Sequence, residues 1–423
     1  MTPRSERLGT LFRRLGTTFI ALRHYNYRLW FFGQTVSLMG TWMQSVAQQW
    51  LVYQMTNSKL ALGVISFSGS VATIFLMLPA GALADRFPKK RLLLITQTAM
   101  MLQAFAMTVL KATELLRVWH IALLAFLLGV ANSFDAPARQ SLAVEMVEDR
   151  HDLGNAIALN STMFNMARIV GPTVAGLVLV AWGSTWCFAI NGLSFMAVIV
   201  ALLFMRLPEA PAKLKVEPLA RQVRTGLRYI RGNVLVMTII ALVAVSSLFG
   251  FTYSVLVPVY ARDILSSGNE QMAKMVQGNL LTAVGIGALV GSLLVASLGR
   301  SRRKGMLLAV GSLLFPGAVL AFAFSRHLPF SLACLALAGF GFVTQNATSN
   351  TLIQTIVPDE LRGRVMSVYM LMFFGTIPFA ALLAGGVGQW LGPTWGVAIG
   401  GGVTLLFALW VLIAVPRLRR LEG

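Results

Sequence analysis

Long apolar runs constrain the fold of this chain more than any other feature of its sequence. They recur from Trp30 to Leu412 and are separated by short polar segments. A helix that crosses ~30 Å of hydrocarbon needs roughly 20 apolar residues, and the runs have about that length. Hydrophobic residues fill 57% of the 423 positions, which is more apolar surface than a soluble domain can bury. The sequence therefore predicts an all-α polytopic membrane protein.

Twelve spans are predicted, arranged as two six-helix halves. An amphipathic stripe in 1–28 indicates a cytoplasmic interfacial segment, and an amphipathic helix in 206–233 indicates a linker on the inner membrane face. The N-terminal half is then 29–205, the C-terminal half is 234–415, and a basic cytoplasmic tail follows at 416–423. The predicted spans are 29–53, 60–84, 91–110, 119–142, 154–181, 185–205, 234–260, 275–298, 305–324, 329–354, 364–390 and 394–415.

The distribution of Lys and Arg predicts the orientation in the membrane. With twelve spans, 27 of the 35 Lys and Arg fall on the side that holds both termini, and six fall on the opposite side. Such a bias marks the cytoplasmic face. The formal charge of +20 then reflects topology and contact with anionic lipid headgroups, so a nucleic-acid partner is not expected. We expect a multi-pass protein of a bacterial inner membrane.

Internal repetition supports the division into two halves. The segment TWCFAING at 185–192 recurs as TWGVAIGG at 394–401, an offset of 209. At an offset of 210, residues near the end of span 4 match residues near the end of span 10. These are Gly129, Leu142, Val147 and Asp149, which match Gly339, Leu352, Val357 and Asp359. Duplicated six-span halves are the architecture of alternating-access carriers.

The loop between spans 2 and 3 reads GALADRFPKKRL, at 81–92. It resembles the loop signature of the major facilitator superfamily, although Pro88 stands where glycine is usual. The resemblance implies that Asp85 meets the positive end of helix 11 and Arg86 meets an acid on helix 4, latching the halves together. A loop that only fixes topology is the alternative. The residues concerned are Gly81, which is expected to allow close helix approach, and Asp85, Arg86, Lys89, Lys90 and Arg91.

Three more motifs point to a branch of that superfamily. ARIVGPTVAG at 167–176 resembles the antiporter signature of the fifth helix. Together with FDAPARQS at 134–141 and VPDELRGRVMS at 357–367, it resembles the drug-exporter branch, which contains enterobactin exporters and transmembrane secretion effectors. The residues that carry the helix 5 signature are Gly171, Pro172 and Gly176.

Three charged residues lie inside predicted spans: Asp135, Arg139 and Arg168. At about 1.5 Å per residue, Asp135 lies ~6 Å and Arg139 ~12 Å from the centre of span 4, while Arg168 lies near the membrane midplane. A midplane charge costs at least ~2.5–3.5 kcal/mol and needs a partner. The sequence therefore predicts a network of these three residues, joined by Arg86 in one conformation. Asp135 is either a titrating, proton-coupling carboxylate or half of a permanent pair that holds helices 4 and 5 together.

Polar residues at helical spacing on spans 1, 4, 7 and 10 predict a central cavity. The alternative for each of them is a hydrogen bond between helices that only aids packing. Much of the remaining lining is expected from 26 Phe, 20 Met and 9 Trp, whose soft surfaces suit varied lipophilic ligands. The cavity candidates are Gln34, Ser37, Thr41, Ser45, Gln48, Asn132, Ser246, Tyr253, Asn346, Ser349 and Asn350.

Catalysis is not expected, because no phosphate loop, metal-ligand cluster or nucleophile–base set stands out in the sequence. Cys187 and Cys334 both fall in spans, which argues against a disulfide or thiolate metal site, and no cofactor is expected. The first hypothesis is a monomeric, proton-coupled secondary exporter of amphipathic small molecules such as drugs or siderophores. The second is a lysophospholipid flippase or an importer of the same fold. The third is a non-transporting membrane sensor or assembly factor.

Overall fold

A computed structural model describes residues 19–147, 149–206, 219–298 and 303–421. Within these ranges the secondary structure is helical and no strand occurs. The predicted interfacial stripe falls mostly on 1–18, and the proline-rich part of the linker falls on 207–218. Both segments lie outside the described residues.

The described residues include twelve long helices, named α1 to α12 in chain order. Eleven of them, α2 to α12, are long and apolar enough to cross a membrane. α1 has 32 residues but is more polar, so its place as a twelfth span stays a prediction. The helices are Tyr25–Thr56, Lys59–Arg86, Lys89–Ala112, Val118–Glu145, Leu153–Ala181, Ser184–Phe204, Val234–Ile264, Glu270–Ser297, Lys304–Ala323, Leu328–Ile356, Asp359–Leu391 and Pro393–Ala414.

α7 departs from regular α-helical geometry at two places. π-helical segments occupy Ser246–Gly250 and Tyr260–Ile264, on either side of the α-helical segment Thr252–Val259. Such insertions in a helix are often found at functional sites. They also rotate the following side chains, so the faces of α7 cannot be read from a regular period of about 3.6 residues.

Glycines bring the backbones of the two halves into contact. A Cβ added to Gly63 of α2 would lie 2.6 Å from the carbonyl oxygen of Ala381 on α11. A Cβ added to Gly278 of α8 would lie 2.6 Å from the carbonyl oxygen of Pro172 on α5. Each contact pairs a glycine with backbone atoms that cannot move aside. The seams α2–α11 and α5–α8 therefore depend on the absence of a side chain.

No close helix approach is seen at Gly81 among the described residues in this conformation. A Cβ added there would meet no atom within 4 Å. The close approaches of α2 lie nearer its other end, where Gly63 contacts α11 and where the carbonyl oxygen of Gly69 lies 2.2 Å from the Cβ position of Gly129 on α4. The role that the resemblance gives to Gly81 therefore stays a prediction.

A linker helix, Leu219–Gly232, joins the halves in the chain order. It packs directly on α11, because a Cβ added to Gly226 would lie 2.6 Å from the carbonyl oxygen of Arg364. Ile230 is buried in the apolar core of the C-terminal half. The linker helix therefore associates with the half that follows it, and its position on the inner membrane face stays a prediction.

The apolar core shows how the halves are arranged. We call the end that holds the α1–α2 and α11–α12 connections the outer end, following the predicted topology, and the opposite end the inner end. Near the outer end one buried cluster contains side chains of both halves. Near the inner end each half has its own cluster. Since the halves share a core only at the outer end, this conformation faces inward.

Candidate functional site

Asp135 lies at the centre of a buried polar cluster in the N-terminal half, where its side chain is 1% exposed. Oδ2 lies 3.3 Å from Nε of Arg139, one turn further along α4. Oδ1 accepts hydrogen bonds from Thr96 Oγ1 at 3.0 Å and from Gln97 Nε2 at 2.8 Å, both on α3. The carboxylate thus has a charge partner and two neutral donors, as a buried ionisable group requires. The predicted contact between Asp135 and Arg139 is present.

Sequence reasoning missed the two α3 residues of this cluster. Their signal is an adjacent polar pair, Thr96 and Gln97, inside an otherwise apolar span. It also missed a chain of buried amides that joins three helices. Asn191 Nδ2 donates to Gln44 Oε1 at 2.7 Å, and Gln44 Nε2 donates to Gln103 Oε1 at 3.0 Å. This chain holds α1, α3 and α6 in register beside the Asp135 cluster.

Arg168 is not part of the Asp135 cluster, which corrects the predicted network of three charges. Its guanidinium lies over the Trp42 ring, 5.9 Å from the centroid, and near the buried Tyr253. Among the described residues no carboxylate pairs with it. The physical reason is helix direction. This part of α5 runs along α8, where the Arg168 carbonyl oxygen lies 3.0 Å from the Cβ position of Gly285, whereas Asp135 faces α3.

Two lysines at the start of α3 contact neighbouring helices of the same half. Lys89 forms an ion pair with Glu145 at the inner end of α4. Lys90 Nζ donates to the carbonyl oxygens of Leu203 at 3.3 Å and Met205 at 2.8 Å, where α6 ends. Arg91 is exposed. Lys89 thus pairs with an acid on helix 4, a contact that the resemblance assigns to Arg86.

The two motif residues that carry the latch, Asp85 and Arg86, have side chains outside the described part of the structure. Their pairing with helices 11 and 4 stays a prediction, and so does any contact of Arg86 with Asp135.

Three cavities follow one another from the centre of the molecule to the inner end. A cavity of about 260 Å³ lies between the halves, and one of about 210 Å³ beside Asp135 shares Ser45 and Asn132 with it. The third, of about 570 Å³, shares Arg139 and Phe164 with the second and lies between the inner parts of α1, α4 and α5. The predicted candidates that line these cavities are Gln34, Ser37, Thr41, Ser45, Gln48 and Asn132.

The candidates from the C-terminal half do not line these three cavities. Ser246 accepts a hydrogen bond from Gln345 Nε2 at 2.9 Å, Asn346 donates to the carbonyl oxygen of Phe342 at 2.9 Å, and Ser349 is fully buried. Only Ser246 follows the packing alternative of a hydrogen bond between helices, whereas Asn346 bonds within its own helix and Ser349 Oγ has no hydrogen-bond partner among the described residues. The remaining two candidates are Tyr253, buried beside Arg168, and Asn350, bonded to Gln354 on its own helix.

A polar closure at the outer end was not predicted. Tyr53 of α1 donates a hydrogen bond to Asp263 at the end of α7. Arg262 lies over the Tyr53 ring at 5.5 Å and pairs with Glu270 of α8 at 3.9 Å. Gln54 Nε2 donates to the same Glu270 carboxylate at 3.3 Å. Polar residues at the ends of spans resemble ordinary loop residues, so the sequence does not predict this closure.

Further hydrogen bonds between the two halves add to this outer closure. Thr173 Oγ1 and Thr282 Oγ1 lie 2.8 Å apart across the α5–α8 seam. Gln277 Nε2 donates to the carbonyl oxygen of Val46 at 3.1 Å. At the outer end of the α2–α11 seam, the Lys59 amide donates to Gln389 Oε1 at 3.0 Å. A carrier that alternates must break all of these contacts to open outward.

A second polar cluster ties the start of α1 to the start of α5 at the inner face. Asp152 Oδ2 lies 2.9 Å from His24 Nε2 and 2.8 Å from an Arg23 guanidinium nitrogen. The hydrogen bond from His24, followed by the charge of Arg23, lowers the pKa of Asp152 below its usual 3.8. A carboxyl group whose pKa falls on folding stabilises the folded state above its usual pKa, and this contribution is lost as the pH falls through the lowered value.

We therefore expect Asp152→Asn to lower the thermal stability of the purified protein near neutral pH. The difference from the wild type should disappear once the pH falls below the lowered pKa of Asp152. Thermal unfolding followed by intrinsic fluorescence at both pH values measures this. Glu114→Gln, in an exposed connection at the outer end, is the control and should change neither value. A Tm difference that is the same at both pH values would contradict the assignment.

Two helical halves, a shared core at one end and charged groups beside cavities that lead to the other end define an alternating-access membrane carrier of the major facilitator type. Comparison with known proteins makes the assignment specific. The chain belongs to the transmembrane secretion effector family of the major facilitator superfamily, whose family model matches residues 16–423. It is accordingly a multi-pass membrane transporter of small molecules and not an enzyme.

Relatives of this chain include exporters from several bacteria. It is 29% identical over 395 residues to the multidrug efflux pump Tap of Mycolicibacterium fortuitum, covering 90% of this chain and 94% of that protein. It is 24% identical over 407 residues to the enterobactin exporter EntS of Escherichia coli O1:K1, covering 94% and 93%. A crystal structure of a peptide transporter of the POT family in complex with sulfate shares the fold, with a TM-score of 0.75, 14% identity and coverage of 94% and 96%.

Proposed function

We propose that this chain is a proton-driven exporter of amphipathic small molecules, such as siderophores or drugs, and that it works as a monomer by alternating access. The enterobactin exporter and the multidrug pump among its relatives support the direction and the substrate class. The observation that carries proton coupling is Asp135. It is a nearly inaccessible carboxylate, with both oxygens engaged, that borders a cavity leading to the inner end.

In the inward-facing state, Asp135 pairs with Arg139 and the cavities receive substrate from the cytoplasm. Closing the inner end and breaking the outer closure turns the same cavities outward. A proton that then reaches Asp135 neutralises it and weakens its hold on Arg139. The return to the inward-facing state carries that proton inward after the substrate has left. One substrate molecule is thus exported for at least one proton imported.

Proteoliposomes test this proposal. Purified protein is reconstituted so that the inner face points outward, and a pH gradient, acidic inside, is imposed. Radiolabelled enterobactin and the dye ethidium are the probes, with a fluorescent lysophospholipid as a third. We expect gradient-dependent accumulation of enterobactin or ethidium and alkalinisation of the lumen with it. Movement of the lysophospholipid alone would favour a flippase. Movement of none of the three, or accumulation that is indifferent to the gradient, would contradict the proposal.

A further inference from the structure

We propose that Arg168 is the anion-recognising group of the substrate pathway, so that the preferred substrates are amphipathic molecules bearing a carboxylate or a similar anionic group. This inference rests on the proposed export function and names its substrate class. It is carried by a charge at the seam between the halves that has no carboxylate partner in the part of the chain that the structure describes.

The charged residues that line the cavities balance each other, whereas Arg168 beside them does not have such a partner among the described residues. The lining of the three cavities includes two charged residues, Asp135 and Arg139, which lie 3.3 Å apart and cancel each other. Arg168 sits just beyond them, near the middle of α5, and no carboxylate of the described residues pairs with it. A guanidinium at membrane depth is costly and is found facing protein or a wet cavity, usually with a partner. Among the described residues, Arg168 is thus a positive charge beside the pathway for which no carboxylate partner is present.

The position of Arg168 on its helix places it at the inward pathway. Ile157, Ser161 and Phe164 of α5 line the large inner cavity, and Phe164 also lines the cavity beside Asp135. Arg168 follows Phe164 by one turn on the same helix face and is half-buried. Arg168 therefore lies at the deep end of the row of α5 side chains that a substrate entering from the cytoplasm would contact.

Aromatic residues surround the guanidinium of Arg168. Its central carbon lies over the Trp42 ring, 5.9 Å from the centroid, and Trp42 packs edge-on against Phe164 at 6.2 Å. A ring under the plane stabilises the cation without using its N–H donors. Those donors form a planar fork that fits a carboxylate or phosphate through two parallel hydrogen bonds. Trp42 and Phe164 would contact the apolar part of the same molecule, which accounts for an amphipathic anion rather than an inorganic one.

Equilibrium binding tests this without any gradient. The protein is placed in phosphatidylcholine nanodiscs, and two probes of nearly equal shape are titrated: dansylglycine, which is anionic, and dansylglycinamide, which is neutral. We expect the wild type to bind the anion about tenfold or more tightly than the amide, as a charge-assisted hydrogen bond at a protected site allows. Arg168→Gln should bind both probes alike, and Arg168→Lys should keep part of the preference.

Arg206 offers a matched control, because its guanidinium also lies over an aromatic ring, that of Tyr25 at 5.8 Å, but on the exposed inner surface. Arg206→Gln should keep the full preference for the anion. Absence of an anion preference in the wild type, or an equal loss of both probes in Arg168→Gln, would overturn the inference and leave Arg168 as a packing residue. Failure of proton-driven transport in proteoliposomes would instead defeat the export proposal without altering these binding constants.

Discussion

Asp135→Asn will abolish uphill transport while leaving a folded protein that still exchanges substrate across the membrane. A pH difference of about one unit supplies ~1.36 kcal/mol per proton, which corresponds to about tenfold accumulation of a substrate exchanged for one proton. Asparagine keeps the shape of the side chain and can still hydrogen-bond Thr96 and Gln97, but it cannot take up a proton. Accumulation should therefore fall from about tenfold to none, whereas substrate counterflow without a gradient should persist.

The matched control for this variant is Asp359→Asn. Asp359 also pairs with an arginine on its own helix, Arg362, but its side chain is 80% exposed. Its replacement should leave accumulation unchanged. Arg139 itself is partly exposed, so it can reach water when its partner is neutral, and Asp135→Asn should fold. If Asp135→Asn still accumulates substrate with the wild-type dependence on the gradient, the pair with Arg139 is structural and the coupling carboxylate lies elsewhere.

Gly385→Leu will strongly reduce transport by hindering closure of the outer end. A Cβ on Gly385 would lie 2.8 Å from the Lys59 carbonyl oxygen and 2.9 Å from the Gly63 Cα, both backbone atoms of α2. Overpacking of a tight contact costs ~1–3 kcal/mol, which reduces the population of the inward-facing state by about five- to 150-fold. Transport should fall accordingly, and Gly385→Ala should give an intermediate loss.

The neighbouring residue provides a control of the same size. Gly386 lies on the same helix, but a Cβ added there would meet nothing within 4 Å. Gly386→Leu should transport as the wild type does, measured by initial rates in the same proteoliposomes at equal protein content. Equal losses in the two leucine variants would indicate a general effect on α11 and would contradict a specific role for the α2–α11 seam.

Features that depend on spacing within one helix could be predicted from sequence. The contact between Asp135 and Arg139 follows from a separation of four residues, and the order of the helices follows from the apolar runs. The family resemblance likewise rested on motifs that are local in sequence, and the family comparison confirms it. Such features need no knowledge of how one helix is turned relative to another.

Features that depend on helix rotation and on contacts between the halves could not be predicted from sequence. Polar side chains occur on several faces of α5, so its sequence does not reveal that Arg168 faces Trp42 instead of Asp135. α7 contains π-helical segments, and Phe251, Ser254 and Val255 line the central cavity where Ser246 and Tyr253 do not. The outer closure joins Tyr53 to Asp263, which lie 210 residues apart in sequence and in different halves.

The central claim is that the two halves rock about the central cavities, and paired distances on the two faces test it most directly. Spin labels are introduced in a variant in which alanine replaces Cys187 and Cys334, at the exposed positions Leu115 and Phe324 on the outer side and Phe87 and Met306 on the inner side. When protonation shifts the conformation, the outer distance should lengthen as the inner distance shortens, and Asp135→Asn should suppress both changes. Distances that stay fixed across pH and substrate, or that change in the same sense on both faces, would contradict alternating access by this chain.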